Sequence, residues 1–517
     1  MNADDEQSRS CWMEHLPAVA APRLTASAAC DVAVIGAGIA GLSTAYELAR
    51  FGKTVVVIDR GKIGAGMTAR TTAHLASALD DYYSELVRVH GEDQARLYHD
   101  SQVAAINRIE AICRDEAIDA DFARLDGFLF AAEESHHRDL EEEYETCRAL
   151  GIAIEWAERA PVPGVDTGRA LRFGNQGRIH PTRYLDGLAR ACARLGVRFH
   201  ADTPYLSHEE QDGVTLELEG GGSIRAAAAV FATNSPVNDE VAIHMKQEPM
   251  RSYAIAGPVP KGSVADALVW DSYEAYHYVR LQPRDDGTDL LIVGGEDHRS
   301  GEANDMAARF AALESWTRAR YPTFREPTHR WSGQVLEPID FMPFCGRNPG
   351  NRSIYMHSGD SGQGITNGVA GSLTLLPLIL GEESRYAPLL DPSRKPLRSR
   401  TSLGEFVRGQ AGVLRNLAEY MTAGEIGSPE ALAPGEGAVQ RDGIAKIAVY
   451  RDEQGRVHRC SAVCTHMGCI VHWNSLEKCW DCLCHGSQFA PGGEVLNGPA
   501  VSPLAPVGEH EQDRATH

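Results

Sequence analysis

The chain has 517 residues, 43% of them hydrophobic and 23% charged, a length that suits about three domains of ~150 residues each. Fifty Lys and Arg against 71 Asp and Glu leave a net charge of −21, which repels nucleic-acid phosphates and anionic headgroups and excludes polyanion binding as a first reading. The most apolar stretches, 32–46 and 369–380, are broken by glycines or Pro377 and are shorter than the ~20 residues that span a bilayer, so no transmembrane segment is expected. The chain opens on MNADDEQSRSCW, which lacks the basic and apolar regions of an export signal, and the expected address is cytoplasmic.

The first strong pattern, DVAVIGAGIAGLSTAYELARFGKTVVVIDR, reads as strand, glycine turn, amphipathic helix and second strand. Gly36, Gly38 and Gly41 fill G-x-G-x-x-G in that turn, and Asp59, followed by Arg60, closes the second strand at the spacing of a ribose-binding acid. Glycines are needed there because the backbone must turn tightly and bring a helix N-terminus up to a pyrophosphate. Next comes GKIGAGMTARTTAHLAS, then helical periodicity over 93–117 and 305–320 and β-like runs at 213–218, 226–232, 276–281 and 290–293. Strand period puts Tyr276, Tyr278 and Arg280 on one face, where an Arg can grip a carboxylate bidentately. His298 and Gln334 are further candidates on this side, against the alternative that all are packing residues. IYMHSGDSGQGITNGVAGSLTLLPLILG then places Gly359, Gly362, Gly364 and Gly368 at a second glycine-rich helix entrance. A Pro-, Ser- and Arg-rich stretch from 381 to 403 reads as a linker, followed by a helix and by a unit of short strands from about 435.

In order and spacing these segments resemble flavoproteins of the D-amino-acid-oxidase-like superfamily over residues 30–382. The resemblance implies FAD, lying extended with its pyrophosphate on the first helix and Gly362, Gly364 and Thr366 beside the flavin ring. It makes Arg70, Thr71 and Thr72 candidate contacts in the second cofactor segment. His74 has a T-x-H context in which some relatives attach flavin covalently, but the Trp that accompanies such a site is missing, and non-covalent FAD is the expectation. NAD is the losing alternative, because only one complete dinucleotide fingerprint is present.

Six of the twelve cysteines fall between 460 and 484. Cys464-x-His466 and Cys482-x-x-His485, fifteen residues apart, resemble the Rieske pattern, in which two thiolates hold one iron of a [2Fe-2S] cluster and two imidazoles the other. The resemblance implies a disulfide between Cys469 and Cys484. Zinc on two Cys and two His is the alternative that the full CTHMGC…CLCHGS match displaces. Ser487 is present, while Phe489 stands where the highest-potential relatives have Tyr, and Leu483 replaces the usual Pro. An intermediate potential is therefore expected. Cys460 and Cys479 read as ordinary thiols.

The expected fold class is α/β plus all-β. A Rossmann-like FAD-binding domain (30–110, 172–240 and 340–382) is interleaved with an antiparallel-sheet substrate domain (111–171 and 241–339). A linker and connecting helix (383–425) then lead to a small all-β Rieske domain (426–510). The function this implies is an FAD-dependent dehydrogenase of an amine- or amino-acid-like molecule, with Tyr278, Arg280 and His298 as catalytic candidates. Its electrons would leave through the cluster to an external acceptor, a quinone or redox protein. The runner-up is an NAD(P)H- or partner-driven electron carrier with no organic substrate of its own. A Rieske oxygenase lacks its two-His, one-carboxylate iron site in this sequence.

Overall fold

The computed structural model describes residues 6–238, 243–273, 276–395 and 419–507; the linker from 396 and most of the connecting helix expected after it lie outside these. The first sheet is built on the βαβ unit: Ser27–Ile35 pairs in parallel with Val55–Ile58 and with Ser223–Phe231, and the helix Ile39–Arg50 crosses between them. Arg198–His200 and Ile354–Ser358 extend it in parallel on either side, and Phe344–Arg347 adds an antiparallel edge. Val55–Ile58 and Ile354–Ser358 are buried throughout, and Ser27–Ile35 and Ser223–Phe231 are buried over their last four residues, as strands covered on both faces are. On one of those faces Ile39–Arg50 packs against the long apolar helix Gly364–Leu380, where a Cβ on Gly368 would stand 2.9 Å from Ile39.

The second sheet is mostly antiparallel, in the order His329–Pro338, Gln247–Pro260, Thr288–Arg299, Tyr278–Pro283, Leu268–Asp271, Ala123–Phe130, Ala170–Arg178, His74–Leu75. Ala170–Arg178 belongs here, although the FAD-binding segment was expected to begin at 172; it pairs with Ala123–Phe130 over seven positions, and chain order does not foretell that partner. The expected strand at 276 begins at Tyr278, with Tyr276 in the preceding loop.

The C-terminal unit is all-β: a three-stranded sheet (Glu436–Asp442, Ala445–Arg451, Val457–Ser461) and a four-stranded one (Val471–Asn474, Cys479–Cys482, Gln488–Phe489, Val495–Asn497). Trp473, Trp480 and Phe489 fill its core together with the four candidate cluster-loop cysteines. Among the described residues no helix is long and apolar enough to cross a membrane.

Candidate functional site

Residues of the two larger sheets, joined by Leu496, Asn497 and Gly498 of the C-terminal unit, line a common cavity. At one end Gly36, with φ +104°, passes so close to Ala232 that a Cβ would collide with its carbonyl oxygen, and Gly38 opens the helix Ile39–Arg50. Both line the cavity. Gly41 does not: a Cβ there would strike Gly36 O, so this glycine lets helix and strand touch. Asp59 stands at the mouth of the turn, accepting from the N–H groups of Ala37 (2.7 Å) and Gly61 (2.9 Å), with Arg60 beside it. Asn234 faces the same cavity with a buried Nδ2 that has no partner among the described residues. A glycine cradle, an open helix N-terminus and an orphan donor suit the pyrophosphate and polar edges of FAD.

At the other end Gly362 (φ +72°) and Gly364 lead into the helix Gly364–Leu380. Its first intrahelical bond runs from Asn367 to Gln363 O, so the N–H groups of Gly364, Ile365 and Thr366 precede the ladder. Thr366, expected beside the flavin, does not line the cavity; its side chain is buried in the helix, the hydroxyl donating to Gln363 O at 3.2 Å. Thr71, Thr72 and His74 line the wall between the two ends. Burial and the nearby Arg280 charge hold the His74 imidazole down to about 3, hence neutral, and both ring nitrogens are engaged, with Thr72 Oγ1 (3.2 Å) and Val279 O (3.3 Å).

Beyond the second glycine entrance the wall is made by Tyr276, Tyr278, Ser252, Asp80, Asp297 and Glu337. Tyr276 donates to Asp80 (2.8 Å), Tyr278 OH bonds Ser252 Oγ (2.7 Å), and the Tyr278 ring lies flat over Gly294, where any side chain would collide with it. Three expectations fail on placement. Arg280 shares a sheet face with Tyr278 but lies one pair deeper, fully buried, its guanidinium spent on Ala73 O, Ile179 O, Leu281 O and Gln282, so it cannot grip a substrate carboxylate. His298 stacks behind Tyr253 and bonds its hydroxyl at 2.9 Å, one layer outside the cavity. Gln334 reaches the cavity, but both ends of its amide are taken by the C-terminal domain: Nε2 donates to Gly486 O (2.7 Å) and Oε1 accepts from Asn497 (2.6 Å).

In that domain two hairpin-like loops face each other with matching turns: Gly468 N–H donates to Cys464 O and Gly486 N–H to Cys482 O, both at 3.0 Å, and both glycines have φ near +78°. The turns bring the buried Cys464 and Cys482 together and set the His466 and His485 rings 5.0 Å apart. The hydrogen bond from Cys482 holds the Cys464 thiol down to about 7, with Ser487 adding to it, while the same bond drives Cys482 up. Burial keeps both imidazoles neutral, near 4, and each Nδ1 is buried with no partner among the described residues. Two thiols and two orphan neutral imidazole nitrogens are the donor set of a Rieske cluster. Cys469 and Cys484 are disulfide-bonded across the loops, as expected. Cys460 and Cys479 are buried thiols outside this group, and Phe489 is fully buried beneath it.

The cluster loops are turned toward the flavin side of the same chain. His244, buried ahead of the strand Gln247–Pro260, sets its ring 4.7 Å from His466 and 5.5 Å from His485. A fully buried ionic cluster ties the domains together. Arg70 contacts Glu6 (2.8 Å) and Glu477 (3.4 Å), and Arg251 contacts Asp481 (3.3 Å), Glu6 (3.7 Å) and Glu477 (3.9 Å). Ser8 and Ser332 also donate to Glu477. Arg70, expected on the cofactor, therefore lines the cavity with its backbone side while its guanidinium serves this interface. Nothing in the sequence pattern marks Glu6, His244, Arg251, Glu477 or Asp481.

The fold and both sites define a flavoprotein with an iron–sulfur domain. Residues 31–375 match the family described as DAO, FAD dependent oxidoreductase, and residues 424–508 the Rieske [2Fe-2S] domain, so the chain belongs to the FAD-dependent oxidoreductases of the DAO family, with a Rieske domain at its C-terminal side. It binds FAD and a [2Fe-2S] cluster. It is 29% identical over 508 residues to the Rieske 2Fe-2S iron-sulfur protein YhfW of Bacillus subtilis (strain 168), covering 97% of this chain and 98% of that one. It is 25% identical to the gamma-glutamylputrescine oxidoreductase of Escherichia coli (strain K12) over 70% of this chain and 86% of the relative. In fold it is similar to glycine oxidase from Geobacillus kaustophilus, with a TM-score of 0.59 and 19% identity over 71% of this chain and 99% of that one.

Proposed function

We propose that the protein is a dehydrogenase that oxidises an amine- or amino-acid-like small molecule at a C–N bond and sends the electrons through the Rieske cluster to an external one-electron acceptor, a quinone or redox protein. One observation carries this reading: Gln334 lines the cofactor cavity and at the same time holds Gly486, next to His485, so a single side chain joins flavin wall and cluster loop. FAD accepts an electron pair from carbon, whereas a [2Fe-2S] cluster passes electrons singly. Gly36, Gly38, Asp59, Arg60, Thr71, Thr72, Gly362 and Gly364 hold FAD in this reading, without a covalent bond to His74. Cys464 and Cys482 hold one iron, His466 and His485 the other. Tyr276, Tyr278 and Ser252 shape and orient the substrate side, in place of Arg280 and His298. In this reading the flavin, substrate and Rieske domains keep the expected boundaries, with Ala170–Arg178 and His74–Leu75 pairing in the substrate sheet. The scattered free thiols agree with a reducing, cytoplasmic address.

The test is anaerobic mixing of the holoenzyme with amines and amino acids, followed by steady-state assay with one-electron acceptors. An amine or amino acid should bleach the flavin. His485→Ala should keep that single-turnover bleaching and lose at least tenfold in steady-state transfer. If the variant turns over at the wild-type rate, the cluster is off the electron path; if only NADH bleaches the flavin, the protein is a carrier and not an amine dehydrogenase.

A further inference from the structure

Among the described residues, the substrate end of the cavity carries carboxylates and no cation free to meet a carboxylate. Asp80 comes from the segment before the helix Tyr83–His90, Asp297 from the strand Thr288–Arg299 and Glu337 from the strand His329–Pro338. Three unrelated elements thus converge on one wall. Asp80 sits beside the glycine entrance, its Oδ2 2.8 Å from where a Cβ on Gly362 would stand. Burial pushes Asp80 and Asp297 up to about 6 and Glu337 well above its ordinary range, with the Asp297 charge adding to the rise of Asp80 and both aspartates adding to that of Glu337.

The acceptors here are short of donors. Asp297 Oδ1 is buried with no hydrogen-bond partner among the described residues. Gln363, 8% exposed, lines the same cavity with its Nε2 held by Ala78 O and its buried Oε1 likewise without a partner. The nearby cations are committed elsewhere. Arg280 is turned onto backbone carbonyls, Arg70 onto the ionic cluster, the His357 imidazolium is paired with Asp360 at 2.6 Å, and His74 is neutral. Arg309 tempers Asp297 from behind while bonding Asp305 and the carbonyl oxygens of Glu296 and Asp297. A substrate carboxylate would meet like charge and acceptors; an ammonium brings three donors and a positive charge.

We infer that the substrate is an organic cation with at least two amino groups and no carboxylate on the reacting carbon, a diamine or polyamine, held by Asp80, Asp297 and Glu337. The inference rests on the amine-dehydrogenase reading and narrows it. In the reaction the C–H bond beside one nitrogen breaks, its hydride passing to oxidised FAD; that nitrogen loses one proton, a C=N bond forms, and water releases an aldehyde and an amine or ammonium. The second ammonium stays paired with the carboxylates.

The test uses the holoenzyme in anaerobic titrations with putrescine, spermidine, butylamine, glycine, proline and glutamate. Putrescine or spermidine should bleach the flavin at a half-saturating concentration at least tenfold below that of butylamine, and the amino acids should not bleach it. Asp297→Asn and Glu337→Gln should each raise the half-saturating diamine concentration tenfold or more, with FAD content, flavin spectrum and cluster EPR signal unchanged. Half-saturation unmoved in both variants, or an amino acid bleaching more readily than the diamines, overturns the inference and leaves the dehydrogenase reading standing. Bleaching by none of the six overturns the inference, and bleaching by NADH alone overturns both.

Discussion

Single residues show how position within an element, not residue type, decides role. Arg280 and Tyr278 alternate correctly onto one sheet face, yet two positions along the strand carry the side chain out of the cavity and into a cage of carbonyls. His357, under the helix Gly364–Leu380, is a contrasting case: burial lowers its imidazole, but the Asp360 carboxylate 2.6 Å away reverses the balance and raises it to about 10. A histidine whose folded value is raised adds stability fully below its unfolded value, about 6.5, and loses it as pH climbs through the folded one. Thermal stability should therefore fall between about pH 7 and 10. In Asp360→Asn the imidazole should titrate below 6.5 and that alkaline loss should vanish, which imidazole NMR and melting curves against pH will check.

At the scale of elements, the N-terminal segment, the strand Gln247–Pro260 and the Rieske turn between Asn474 and Asp481 are joined by buried charge. Arg251 is the hub, 1% exposed and within ion-pair reach of Glu6, Glu477 and Asp481. Replacing one member of a buried ionic group costs about 3–5 kcal/mol when it strands the opposite charges. Arg251→Met should therefore loosen the Rieske domain on the flavin body, seen as faster amide exchange over 474–481, while the cluster EPR signal, set by two Cys and two His outside the ionic group, persists. Arg251→Lys should recover part of the protection. The Rieske motif and the glycine turns were legible because each of their loops is a short contiguous segment, whose spacing is fixed by covalent geometry. The interface was not, since its members are up to 475 positions apart, from Glu6 to Asp481.

For the whole molecule, the consequence is a cluster docked on its own chain's flavin side through Gln334, Asn497 and His244. Electron passage from flavin to cluster should then be first order, with a rate unchanged over a hundredfold range of protein concentration. A cluster-free His485→Ala chain mixed with a flavin-free chain should not recover activity with a one-electron acceptor. Stopped-flow spectra of both chromophores will decide. A rate that rises with concentration would mean that the domains exchange electrons between molecules.

The sequence by itself determined the glycine turns and, through its resemblance to two families, the two cofactors, the Cys and His expected to hold the cluster and the disulfide, because a bound group imposes short-range spacing on the loops around it. Only the tertiary structure decided which charges meet: that Arg70 leaves the flavin for Glu6 and Glu477, that Gln334 leaves the substrate for Gly486, and that Asp80, Asp297 and Glu337 share a wall. Hydrogen bonds and ion pairs act over a few ångströms, and pairing between distant strands, not order along the chain, sets which side chains come within that range.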